Sequence, residues 1–210
     1  AGPRTSTRPP PPDRHFKRVF LTGASGFIGS RVAKILAAKG VEIVCLLRPT
    51  SKTHRLAKID FIDVRGDLNN KEAIAKGMKG CDAVIHLACT SSWSDIRTAG
   101  AQIEAVAVDG TRNVLEAAKA AGVERFVHVS SVTALNGSDY PEVFDESATY
   151  SLSSRNLPYS HAKHRAENVV REFADKGLDV VVASPAEVYG PDDDAMITAG
   201  NILEILNASP

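Results

Sequence analysis

The chain has 210 residues, 43% of them hydrophobic, enough to bury one core of ordinary globular size. Lysine plus arginine number 25 and aspartate plus glutamate 25, so the net charge is zero. That balance excludes a global basic field for nucleic acid or an anionic membrane and leaves small molecules as the expected partners.

No apolar run approaches the roughly 20 residues that span a bilayer. Cys45, Cys81 and Cys89 form neither an even disulfide set nor a metal-binding spacing. They read as small buried hydrophobes in a reducing, cytoplasmic setting. His86, His128, His161 and His164 form no ligand-like cluster, so no metal site is expected.

Residues 1–16 are rich in proline, arginine, serine and threonine and poor in apolar residues, and they read as a disordered leader. A run of prolines suits an amphipathic targeting helix badly. From Arg18 onward, short β-branched runs alternate with longer helical ones. This alternation predicts an α/β fold, a Rossmann-type doubly wound parallel sheet with helices on both faces, over residues 17–194.

In chain order, "RVFLTG" is the first strand and "SGFIGSRVAKILAAKG" a helix closed by Gly40. "VEIVCLLR" and "IDFIDVRGD" follow as strands, then "NNKEAIAKGMKG" as a helix and the apolar "DAVIHLAC" as a fourth strand. Asp95 to Ala121 reads as one long helix, with Ile103, Val106, Gly110, Val114, Leu115 and Ala118 at helical spacing. "ERFVHVSS" and "LDVVVASP" are strands on either side of the helix "YSHAKHRAENVVREFADKG". The long polar stretch between Val132 and Pro158 is loop-like, and long ordered loops are usually functional. "AMITAGNILEILNAS" reads as one more helix.

Gly23, Gly26 and Gly29 sit where the first strand gives way to the first helix. Such a turn brings a dinucleotide pyrophosphate to a helix N-terminus, whose unpaired N–H groups favour anions; Ser25, Phe27 and Ile28 complete it. Ordinary strand–helix packing also collects small residues at such turns. At the end of the second strand, Leu47 and Arg48 stand where an NAD-binding protein carries an acid for the ribose hydroxyls. Arg48, with Ser51 or Lys52, could pair with a 2′-phosphate, which favours NADP(H), with NAD(H) possible; the alternative is a set of solvated surface charges.

Tyr159 and Lys163 are four residues apart in a helix that starts after Pro158, which puts them on one face about 6 Å apart along the axis. A nearby ammonium is expected to lower the phenol pKa from about 10 toward neutrality and make Tyr159 a general acid/base. Ser131 could hold a substrate oxygen, whereas strand alternation turns Ser130 the other way.

With "TGASGFIGS" at one end and "YSHAK" at the other, the sequence resembles the extended short-chain dehydrogenase/reductase family, which includes the nucleotide-sugar epimerases and dehydratases. The resemblance runs from about Arg18 to Pro191, and it implies that residues 195–210 start a C-terminal substrate region, in a truncated chain, a fragment or a member with a minimal lid. "LLRPTS" and "GTRNVLEAAKAAGVERFVHVSSV" are most similar to the branch of dihydroflavonol reductases and 3β-hydroxysteroid dehydrogenases. It implies that Asp67 and Leu68 lie on the adenine side, that Leu87 and Ala88 line the cofactor, and that Pro185 and Val188 lie near the nicotinamide. Ser131, Tyr159 and Lys163 would be catalytic, with Lys163 also reaching the nicotinamide ribose. Ala107 stands where many relatives carry asparagine.

The expected function is an NADP(H)-dependent oxidoreductase acting on a carbonyl or secondary alcohol. The alternatives are a nucleotide-sugar epimerase or dehydratase with bound NAD, and a non-catalytic dinucleotide sensor. A homodimer is expected through the Asp95–Ala121 and Tyr159–Gly177 helices, with Ala162, Ala166, Val169, Val170 and Phe173 as candidate contact residues.

Overall fold

The computed structural model describes residues 15–89, 100–193 and 199–208. Most of the expected leader and residues 95–99 of the expected long helix lie outside them. Five strands form the body of the sheet, β1 (Arg18–Thr22), β2 (Glu42–Leu47), β3 (Ile62–Arg65), β4 (Ala83–His86) and β5 (Arg125–Val129), and β6 (Val180–Ala183) completes it. All pairings are parallel, in the order β3-β2-β1-β4-β5-β6. This is the doubly wound order, in which the chain leaves β1 toward β2 on one side and later returns to β4 on the other. In sheets of this kind ligands bind at that switch, beyond the carboxyl ends of the strands, here those of β1 and β4.

The helices are α1 (Phe27–Ala38), α2 (Lys71–Met78), α3 (Gly100–Glu104), α4 (Gly110–Ala121), α5 (Pro158–Asp175) and α6 (Ala199–Asn207). Alternation along the strands feeds two cores. Phe20, Val44, Leu46, Val84 and Phe126 pack against Ile74, Met78, Val114, Leu115, Val170 and Phe173 from α2, α4 and α5. Leu21, Ile43, Cys45 and Leu47 face the other way, onto Ala33 of α1 and Leu56. Each large side chain so buried contributes about 1.5–3 kcal/mol.

The expected long helix is broken into α3 and α4 by a π-helical segment, Ala105–Asp109. Periodicity could not show this, because one wide turn shifts the ladder by a single residue, and such turns gather at functional sites. Another expectation is corrected on α5. Ala162, Ala166, Val169, Val170 and Phe173 are all buried within the chain, so they offer no surface to a second copy. The exposed side of these helices instead carries ion pairs, Arg165 with Glu104 at 2.8 Å and Arg112 with Glu172 at 3.0 Å.

Candidate active site

The glycine turn is built as its spacing predicts. Gly23 has φ +74°, and a β-carbon there would meet the Ala88 amide nitrogen at 2.8 Å. Gly26 is the N-cap of α1; its amide donates to the Gly23 carbonyl at 3.0 Å, no side chain caps the helix, and no acidic residue lies in its first turn. A helix N-terminus left open in this way fits an anionic group. Ser25, Phe27 and Ile28 are half-buried around it.

The ribose side differs from the sequence reading in two respects. Leu47 is 1% exposed and packs in the α1 core, whereas Arg48 is exposed at the strand's end. The Arg48 carbonyl accepts from the Ser51 amide at 2.9 Å, holding both residues in one turn. Arg55, which the sequence reading passed over, donates to the Ser25 carbonyl of the glycine turn at 3.3 Å and to the Asp192 carbonyl at 2.9 Å. Arg31 pairs with the Asp192 carboxylate at 2.8 Å, so the segment after β6 is tied back across α1. The signal for Arg55 was weak, since nothing in sequence separates it from the other basic residues of that loop.

Asp67 and Leu68 follow β3. The Asp67 carboxylate accepts from the Asn69 and Asn70 amides at 2.8 and 3.1 Å, shaping its own turn, and Leu68 is buried against Gly110. Leu87 and Ala88 extend β4 past its last ladder bond, with their amides bonded to the Thr22 carbonyl and hydroxyl. The Pro185 carbonyl accepts from the Val132 amide at 3.1 Å, which joins the extensions of β5 and β6; Val188 is half-buried beyond it.

Ser131, Tyr159 and Lys163 come together at the carboxyl end of β5. Ser131 lies beside the Tyr159 phenol and pairs its hydroxyl with that of Thr133 at 3.0 Å, and the Lys163 ammonium lies 6.0 Å from the Tyr159 ring centre and donates to the Val129 carbonyl at 3.0 Å. Ser130 points away, as expected, and donates to buried Glu167 at 2.5 Å.

The expectation of a lowered phenol pKa is corrected. Burial pushes the Tyr159 phenol above its usual range and the neighbouring Cys89 adds to this, while the Ser131 hydrogen bond pulls the other way. Desolvation penalises the phenolate more than its surroundings repay. Cys89 itself is only half-buried, against Ile103, Ala107 and Ala162, whereas Cys45 and Cys81 are buried and their thiols pushed up to about 12 and about 11.

His86 is also at the switch point. It is 1% exposed, its ring lies between Thr22 and Thr111, and burial, with the Lys163 charge adding, pushes its pKa down to about 3. Among the described residues no group of histidine, cysteine and carboxylate side chains is arranged to hold a metal ion, and no helix is long and apolar enough to cross a membrane.

An open glycine turn at the switch of a doubly wound sheet, facing a tyrosine and lysine one helical turn apart, defines a dinucleotide-binding protein of the short-chain dehydrogenase/reductase kind. The sequence profile of the NAD dependent epimerase/dehydratase family matches residues 19–208, and the chain belongs to that family. It is 32% identical to cinnamoyl-CoA reductase 1 of Arabidopsis thaliana, over 92% of this chain and 59% of that one. It is 29% identical to a 3-beta-hydroxysteroid dehydrogenase of Mycolicibacterium neoaurum, over 85% and 50%. Among solved structures it is similar to DesIV, a dTDP-glucose 4,6-dehydratase from Streptomyces venezuelae with NAD and TYD bound. The TM-score is 0.77 at 28% identity, covering 89% of this chain and 62% of that one. The chain spans about half the length of the curated relatives it matches.

Proposed function

We propose that the chain carries the dinucleotide-binding and proton-transfer machinery of an NADP(H)-dependent oxidoreductase acting on a carbonyl or secondary alcohol. The observation that carries this reading is Lys163 beside the Tyr159 ring and anchored to the Val129 carbonyl, with Ser131 next to the phenol, in a fold whose glycine turn leaves its helix N-terminus open. Gly23, Gly26 and the first turn of α1 hold the pyrophosphate, and Arg48 with Arg55 hold the 2′-phosphate by charge-assisted contacts. The dinucleotide, when bound, supplies or accepts the hydride.

Ser131 hydrogen-bonds the substrate oxygen and sets it against the phenol. Because burial keeps that phenol protonated, Tyr159 is poised as an acid that gives its proton to the oxygen of a carbonyl under reduction. In the oxidative direction the phenolate takes the proton from the alcohol and becomes the phenol again. The Lys163 ammonium stabilises the phenolate left behind and orients the nicotinamide ribose. Helix α6, with Ile205 and Leu206 largely exposed, offers an apolar surface to the substrate.

Calorimetric titration of the chain tests the cofactor reading: NADPH should bind about tenfold or more tightly than NADH, the discrimination of one charge-assisted contact. Equal or tighter NADH binding would overturn it. That result would favour the second reading, a nucleotide-sugar epimerase or dehydratase with retained NAD, which is supported by the likeness to a dehydratase solved with NAD.

A further inference from the structure

We propose that Thr22, His86 and Thr111 form one directional hydrogen-bond relay that positions the Ala88 segment against the glycine turn, with His86 as a positioning residue in its Nε2–H tautomer. The three side chains are almost wholly buried, at 0%, 1% and 1% exposure. They come from β1, β4 and the first turn of α4, and Thr22 and His86 are neighbours across the ladder.

The direction follows from hydrogens. The Thr111 hydroxyl lies 2.6 Å from the Ala107 carbonyl oxygen, and two acceptor oxygens approach so closely only with a hydrogen between them, which Thr111 alone can supply. The Thr111 oxygen must then accept from His86 Nε2, 3.0 Å away, so Nε2 carries the ring proton. His86 Nδ1 is left as an acceptor for the Thr22 hydroxyl at 2.7 Å. The Thr22 oxygen in turn accepts the Ala88 amide at 3.2 Å. Every donor in the chain of bonds finds an acceptor, from Ala88 at one end to the π-helical carbonyl of Ala107 at the other. A second proton on the ring would turn Nδ1 into a donor and break the order, and burial beside Lys163 opposes it.

The consequence is positional. The Ala88 amide nitrogen lies where a β-carbon on Gly23 would come within 2.8 Å, so the relay holds β4's extension against the residue that turns the chain toward α1. Its value to the molecule rests on the dinucleotide reading given above, since the surfaces it fixes are those that would line the cofactor. The departure at Ala107 fits the same picture, because the relay uses that residue's carbonyl and needs no side chain there.

The test is ¹⁵N-histidine NMR on the parent chain, joined to amide exchange at Ala88 and NADPH titration of Thr111→Val, Thr111→Ser and His86→Gln. We expect His86 as the Nε2–H tautomer with no titration between about pH 5 and 9, assigned by the signal lost in His86→Gln. Thr111→Val touches neither Ala88 nor the glycine turn, yet should speed Ala88 exchange and weaken NADPH binding, each about tenfold; Thr111→Ser should keep the parent values. His86→Gln keeps an amide donor toward Thr111 but has no acceptor at the position of Nδ1, so it should resemble Thr111→Val and serves if that variant fails to fold. An Nδ1–H tautomer, or unchanged Ala88 exchange in both disrupting variants, overturns the relay. Disturbed exchange with unchanged NADPH affinity overturns its positioning role. If the parent binds neither dinucleotide, the functional reading fails, while tautomer and exchange still decide the relay.

Discussion

Gly29 lies directly beneath Gly23: a β-carbon on Gly29 would fall 2.1 Å from the Gly23 carbonyl oxygen and 2.7 Å from its carbonyl carbon. Both obstructing atoms are backbone, and Gly23 is itself fixed against Ala88, so nothing can give way cheaply. Gly29→Ala should therefore cost about 1–3 kcal/mol or more in urea denaturation, as overpacking does, and abolish dinucleotide binding. Gly40→Ala is the control. Gly40 has φ +73° with nothing within 4 Å of an added β-carbon, so it should lose only the roughly 1–2 kcal/mol of left-handed strain and leave cofactor affinity intact. Equal losses of binding in the two variants would contradict the close-packed turn.

Removing the phenolic hydroxyl separates chemistry from binding. Tyr159→Phe should leave NADPH affinity nearly unchanged and reduce turnover by roughly 10²–10⁴-fold. Lys163→Ala should harm both, because its ammonium also spans to the Val129 carbonyl. Parent-like turnover in Tyr159→Phe would remove Tyr159 from the mechanism.

Cofactor discrimination should reside in two arginines. Arg48→Ala and Arg55→Ala should each weaken NADPH by about tenfold with little effect on NADH, measured by calorimetry. Leu47→Asp cannot be used to reverse the preference, since it would bury a carboxylate in the α1 core and unfold the chain. If neither arginine variant changes the NADPH-to-NADH ratio, the 2′-phosphate site lies elsewhere.

Acid should destabilise the fold through its buried histidines. In the unfolded chain His86 takes up a proton near 6.5, but folded it resists until about 3, chiefly because it is buried. His128 is shifted in the same direction, by burial first and then by the charges of His86 and Lys163. Within that window the unfolded state binds more protons, so stability is complete above about pH 6.5 and falls as the pH drops, by roughly 1.4 kcal/mol per unit for each such histidine. Urea midpoints at pH 7.5 and 5 should differ accordingly, with a smaller difference in His86→Gln. A flat profile would show that these rings take up protons in the fold as readily as in the unfolded chain.

Much of this was legible in the sequence because it is local. The glycine spacing dictates a turn, the alternation of textures dictates strands and helices, and the four-residue step from Tyr159 to Lys163 dictates a shared face, since each depends only on bond geometry over a few residues. Strand alternation was likewise enough to choose Ser131 over Ser130. What the tertiary structure alone decided involves partners distant in sequence. Thr22 meets His86 across 64 residues, His86 meets Thr111 across 25, and Arg55 reaches Ser25 across 30. The same holds for the Tyr159 phenol. Its spacing from Lys163 announced an ammonium nearby, but desolvation depends on everything packed around the ring, and that is a property of the folded interior which no short stretch of chain encodes.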